Sequence, residues 1–96
     1  MNVFEIVDKT GRQIRLTRER WSHIAIKHSD VSDKIEEIKL ALIKPTLLAL
    51  QKFDNIKANY YRYYKIQKDY LLVGVKCLNG EGYITTAFFT RKITQT

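Results

Sequence analysis

The chain has 96 residues, 45% of them apolar, with 17 Lys+Arg against 10 Asp+Glu. That length fits a single domain, 1–96, and buries only roughly 60–65% of the surface its unfolded form exposes. One cysteine, Cys77, excludes an internal disulfide and a cysteine-rich metal site, while the net charge of +7 favours polyanionic partners over acidic proteins or anionic membranes.

The opening residues lack a basic segment followed by an apolar one, and the apolar stretches fall far below the ~18 residues of a membrane span. A cytoplasmic protein with no membrane partner is expected. Residues 2–7 and 12–16 alternate in character around the turn-forming Asp8-Lys9-Thr10-Gly11, which predicts a β-hairpin. Thr17 is placed to cap a helix over 18–28, with Trp21, Ile24, Ala25 and His28 on one face. Ser32 is the expected cap of a second helix, with Ile35, Ile38, Ala41 and Leu42 inward and Pro45 as its stop. Beyond Pro45 the period shortens to 2. Strands are expected over Thr46–Phe53, Asn59–Ile66, Asp69–Leu78 and Tyr83–Thr90, the last pair joined at Asn79-Gly80-Glu81-Gly82. The fold class is therefore α+β: two N-terminal helices on a mostly antiparallel four-stranded sheet, preceded by a short hairpin.

No glycine-rich phosphate loop, His-Glu-x-x-His helix or CxxC pair is present, and the acidic residues are scattered. No cofactor or metal is required by any motif. RNA cleavage without metal uses the 2′-hydroxyl as nucleophile, a base, an acid, and cations on the phosphate. His23 and His28, the two histidines, lie in one short segment, and imidazole suits either proton transfer. Five positions on a helix turn the direction by about 140°, so the pair shares a site only if the helix ends before His28. His23 shares its stripe with Arg20 and Lys27. Arg18, Arg20, Arg62, Arg91 and Lys92 are the candidate phosphate contacts. Tyr60-Tyr61-Arg62-Tyr63-Tyr64-Lys65 interleaves rings with cations, which suits stacking on unpaired bases, with Tyr64 the candidate contact; the same residues also pack well in an ordinary strand. Thr85 and Thr86, with Thr90, Arg91 and Lys92 after them, form a candidate phosphate-binding edge or simply a strand of β-formers.

Three segments in order resemble a known family: Gly11–Thr17 with Trp21-Ser22-His23-Ile24 and His28; the tyrosine-rich strand with Leu71–Lys76; and Thr86-Ala87-Phe88-Phe89-Thr90-Arg91-Lys92-Ile93. The chain looks like the small phage and bacterial domains grouped with the barnase–EndoU–colicin–RelE (BECR) nuclease fold. The resemblance implies metal-independent RNA cleavage of the toxin type, with RNA as substrate and a cognate antitoxin or inhibitor protein as a further partner. It matches His23 and His28 to the family's helix histidines, and Thr86 and Thr90 to its closing-strand hydroxyls. Where Phe88 stands, that family often carries tyrosine. The alternative expectation is a non-catalytic RNA- or protein-binding module of the same fold.

Overall fold

The first turn joins β1 (Asn2–Val7) to β2 (Gln13–Thr17) in a computed structural model that describes residues 1–50 and 56–93. Asp8 organises that turn. Its Oδ1 accepts from the Thr10 amide at 2.9 Å, the Thr10 hydroxyl at 2.8 Å and the Arg12 amide at 2.8 Å. Its Oδ2 accepts from the hydroxyl of Tyr60, a residue wholly shielded from solvent. Burying a carboxylate is costly unless its oxygens are satisfied, and here donors reach both of them.

Thr17 caps the first helix as the sequence predicts, its hydroxyl accepting from the Arg20 amide at 3.2 Å. Helix α1 runs Arg18–Lys27 and ends one residue before the expected boundary, because His28 leaves helical geometry at φ −128, ψ 76. A single 3-10 turn, Ser29–Val31, follows and buries Val31. Helix α2 (Ile35–Ile43) begins after Lys34 without a side-chain cap, so the expectation for Ser32 is corrected. The Ser32 hydroxyl donates instead to the Ser29 carbonyl at 2.8 Å, within the 3-10 turn. Ile38, Ala41 and Leu42 are buried as expected. Each fully buried large apolar side chain stabilises the fold by roughly 1.5–3 kcal/mol.

Four strands then form an antiparallel meander: β3 (Leu47–Leu50), β4 (Lys57–Tyr64), β5 (Asp69–Leu78) and β6 (Glu81–Thr90). Part of the strand expected over Thr46–Phe53, residues 51–53, lies outside the described residues, as do 54 and 55 of the connection. The β5–β6 turn is the two-residue Asn79-Gly80, at φ +46 and +87. That left-handed pair matches the twist of a hairpin, and asparagine and glycine reach it most readily.

The sheet itself corrects the sequence-based architecture. It has six strands, ordered β1-β2-β6-β5-β4-β3, and is mixed rather than four-stranded and antiparallel. The opening hairpin joins it through a parallel β2–β6 pair, Gln13↔Glu81, Ile14↔Gly82 and Arg15↔Tyr83. Gly82 permits the approach, since a Cβ there would meet the Lys76 carbonyl oxygen at 2.9 Å and Ile14 Cδ1 at 3.0 Å. The parallel pairing stops at Tyr83, and α1 packs against β6 as well as β2. Residues of alternate parity on β5, namely Leu71, Val73, Val75 and Cys77, join Ile14, Leu16, Ile24, Ile38, Leu42 and Ile84 in one core.

Candidate functional site

Where α1 lies on β6, a groove of about 210 Å³ is lined by Arg20, His23, Ile24, Lys27, His28, Thr85 and Thr86. Three features of the chain build it. Arg20, His23 and Lys27 recur at helical spacing on one stripe of α1. The helix stops at Lys27, so His28 is released from the helical direction that would turn it away. On the strand side, the register with β5 slips between Gly74 and Val75, with Gly74↔Thr86 beside Val75↔Ile84. Thr85 is the extra residue of this β-bulge, and bulges re-aim side chains.

His28 is held from three sides. Its amide donates to the Ile24 carbonyl at 2.7 Å and its carbonyl accepts from the Val31 amide at 3.0 Å. Its imidazole stacks on Phe88 with ring centroids 5.1 Å apart and planes 28° from parallel. His23 is exposed on the outer side of the groove. The Thr85 hydroxyl donates to the Gly74 carbonyl at 3.2 Å. Among the described residues, the side chains of Arg20, His23, Lys27 and Thr86 make no hydrogen bond or ion pair. No carboxylate lines the groove, so two fixed cations set its field. Its size is below the roughly 300–1,000 Å³ of clefts that enclose a whole small molecule. A passing segment of a polymer fits it better.

Of the sequence candidates, His23, His28, Arg20 and Thr86 come together here. Arg18 lies in a separate cleft with Asn2, Val3, Trp21 and Ser22. Arg62 and Tyr64 line another groove, beside the first turn of α2. The Arg62 guanidinium donates to the Lys44 carbonyl at 2.7 Å, which ties the end of α2 to β4. The Thr90 hydroxyl donates to the Lys92 carbonyl at 3.3 Å and accepts from the Lys92 amide at 3.2 Å, closing the exit turn after β6. Arg91 and Lys92 are exposed there, outside the groove lining. The tyrosine-rich strand is only partly a surface: Tyr60 and Tyr61 are fully buried, and Tyr63 is 41% exposed.

Of the polar lining residues, Lys27 lay outside the sequence candidates. Lys27 was visible as the third member of the Arg20–His23 stripe. Thr85 belonged to the expected threonine edge, but the bulge that brings it to the groove had no signal in the sequence. Cys77 is buried, and burial pushes its thiol up, with Arg12 pulling down and Asp8 pushing up more weakly. A thiol kept neutral is a poor nucleophile. Among the described residues no three His, Cys, Asp or Glu side chains cluster as metal ligands, and no helix is long and apolar enough to cross a membrane.

Comparison with family models, with curated proteins and with solved structures gives no match.

Proposed function

We propose that the chain is a metal-independent ribonuclease acting in the groove between α1 and β6. The observation that carries this reading is the early end of α1, which lets both histidines line one groove with two unpaired cations and two hydroxyls. The resemblance to the BECR nucleases, carried by Gly11–Thr17 with His23 and His28, the tyrosine-rich strand with Leu71–Lys76, and Thr86–Ile93, implies the same activity.

The chemistry requires no bound group beyond these side chains. One imidazole takes the proton of a ribose 2′-hydroxyl as its oxygen attacks the adjacent phosphorus. The other protonates the 5′-oxygen as the phosphorus–oxygen bond breaks, leaving a 2′,3′-cyclic phosphate and a free 5′-hydroxyl. Negative charge grows on the non-bridging oxygens during the attack. Arg20 and Lys27 stabilise it, and the Thr86 hydroxyl can donate a hydrogen bond. His28, fixed by its backbone and by Phe88, is the better-positioned of the two imidazoles; His23 has room to follow the substrate.

The test is cleavage of total RNA in excess EDTA by the wild type, by His23→Ala and by His28→Phe, which keeps an aromatic ring against Phe88. Cleavage in EDTA, lost in both variants while their melting temperatures hold, is the expected result. Because one imidazole must be charged and the other neutral, the rate should follow a bell-shaped pH profile. Cleavage retained in both variants overturns the assignment. RNA binding without cleavage in any protein would favour a binding module, a reading to which Phe88 lends some weight, since it lacks the phenol often present there in the resembled family.

A further inference from the structure

Strands β1 and β3 are the two ends of the sheet, and β1 begins beside a cleft of about 470 Å³ lined by Asn2, Val3, Arg18, Trp21 and Ser22. Arg18, Trp21 and Ser22 follow the i, i+3, i+4 spacing of one helix face, about 180° around α1 from the Arg20–His23–Lys27 stripe. The cleft and the histidine groove therefore use opposite sides of the same helix. No carboxylate lines the cleft, and the side chains of Asn2, Arg18, Trp21 and Ser22 make no hydrogen bond or ion pair among the described residues. All four can donate. Trp21 is half-buried, and with Val3 it packs against the core and gives the cleft an apolar wall. Donors around one guanidinium and one ring suit an anion with an apolar body.

The strand beside the cleft has a free edge. It pairs with β2 on one side, and no described strand lies on the other. The Asp8 amide donates to the Arg12 carbonyl at 2.8 Å, so the alternation of an antiparallel ladder turns Ile6 and Phe4 toward β2. The N–H and C=O groups of Glu5 and Val7 then point outward. Both residues are exposed, Val7 at 62%. Arg15, opposite Glu5 in the register, is engaged with Glu81 at 2.8 Å. Glu5 is left with only a 3.4 Å contact from the Gln13 side-chain amide. Such an edge is a template for a further strand.

Direction joins the two features. β1 runs away from the cleft, from Asn2 to Val7. A strand added antiparallel runs toward it, which brings its last residue beside Val3 and its terminal carboxylate to Arg18. A parallel strand would bring an amine against the guanidinium instead. In the antiparallel register the third residue from the end stands opposite Glu5, where a cation is favoured. RNA carries no row of alternating donors and acceptors at strand spacing, so the edge favours a peptide.

We propose that β1 and the Arg18–Trp21 cleft capture the extended C-terminal tail of a partner protein. Its carboxylate lies on Arg18, its apolar last side chain against Trp21, and a lysine or arginine opposite Glu5. Main-chain hydrogen bonds to the edge supply affinity, and the carboxylate and last side chain supply selectivity. The histidine groove stays open, and the tail binds whether or not the chain cleaves RNA.

Trp21 is the single tryptophan, so its fluorescence reads the cleft directly. The probes are acetylated hexapeptides ending in Lys-Val-Leu, Lys-Val-Val or Lys-Val-Phe, each as the free acid and as the C-terminal amide. At least one acid should shift the Trp21 emission saturably and bind roughly tenfold or more tighter than its amide, the worth of a hydrogen-bonded charge. Arg18→Gln, whose melting temperature should hold because Arg18 is exposed, should bind acid and amide alike. The Glu5 and Val7 amides should shift in NMR spectra and exchange more slowly in the complex. No emission change with any acid up to millimolar peptide, equal affinity for acid and amide, an acid preference intact in Arg18→Gln, or undisturbed Glu5 and Val7 amides each overturns the proposal. N-acetyl-leucine bound as tightly as the hexapeptide would assign the cleft to a small carboxylate, and displacement of the peptide by oligouridylate would assign it to RNA. Either result overturns the docking of a tail.

Discussion

The hairpin turn and the α1–β6 groove treat polar groups in opposite ways. At the turn, the Asp8 carboxylate is 5% exposed and receives the Thr10 amide and hydroxyl, the Arg12 amide and the Tyr60 hydroxyl. The neighbouring Lys9 amide donates to the Leu42 carbonyl at 3.0 Å, so the turn also fixes the end of α2. In the groove, two imidazoles, two cationic side chains and the Thr86 hydroxyl stand without hydrogen-bond partners among the described residues. Satisfied polar groups in a dry place hold a fold together; a row of unsatisfied ones at the surface adds little stability and is free to act on something else. The difference separates what keeps this molecule folded from what it offers to a substrate.

The sharpest way to test that separation is to substitute in each region and read both stability and cleavage. Removing either imidazole should lower the cleavage rate by about 10²–10⁴-fold, the usual worth of a positioned acid or base. Because His23 is exposed, His23→Ala should leave the urea midpoint almost unmoved. Asp8→Ala should do the reverse. It strands the Tyr60 hydroxyl and the turn amides, at about 3 kcal/mol of stability by the scale of charge-assisted hydrogen bonds, and should leave the rate of the folded fraction unchanged. Tyr60→Phe, which removes one donor from that carboxylate, should cost about 1–3 kcal/mol. A histidine variant that unfolds, or an Asp8 variant that folds well but cleaves poorly, would erase the distinction.

Local signals in the sequence were sufficient wherever the cause was local. Thr17 caps α1, Asp69–Leu78 forms a strand with the expected bounds, and the turn expected over Asn79–Gly82 falls at Asn79-Gly80, with Glu81 and Gly82 already in β6. The helical stripe of Arg20, His23 and Lys27 could be read for the same reason. Ser32 misled because the 3-10 turn uses its hydroxyl internally, at Ser29, before α2 begins. The parallel pairing of β2 with β6 joins residues some 68 positions apart, Ile14 with Gly82, and nothing in either segment's own pattern names the other. The same holds for both grooves: Thr85 needs the bulge opposite Gly74, and Glu37 meets Tyr64 only when α2 lies against the sheet. The sequence could name groups able to transfer a proton or hold a phosphate, but which of them meet depends on tertiary packing.

A smaller effect tests the buried side of the comparison through pH. Burial pushes the Cys77 thiol up from its ordinary 9.0, and burial followed by the Asp8 hydrogen bond pushes the Tyr60 phenol well above its ordinary 10.0. Tyr64 moves in the same direction. Each raised group keeps its proton longer in the folded chain than in the unfolded one. Stability is thus fully present below about pH 9, and above it the unfolded state holds fewer protons and gains. The loss should approach about 1.4 kcal/mol per pH unit for each group passing through its window. Urea midpoints at pH 8 and pH 10 measure it, and Cys77→Ala should flatten the early part of the fall. A midpoint unchanged between those values would mean these groups open to solvent before the fold gives way.

The smallest expected effect lies at Gly74, opposite the bulge of the groove. A methyl group there would meet Thr86 Cγ2 at 3.0 Å and Thr85 Oγ1 at 3.2 Å, both of them side-chain atoms of the bulge. Neither is backbone, so the threonines can give way by a few tenths of an ångström, and Gly74→Ala should cost about 1 kcal/mol of stability, the low end of the cost of overpacking. The displaced atoms belong to residues that line the histidine groove. If Thr86 donates to the phosphate, moving its hydroxyl by that amount weakens the hydrogen bond without abolishing it, and cleavage should fall a few-fold. Thr86→Val, which keeps the shape and removes the hydroxyl, should lower cleavage further at similar stability. An undiminished rate in both variants would leave the histidines and cations as the working groups and reduce the bulge to a means of placing α1 beside β6.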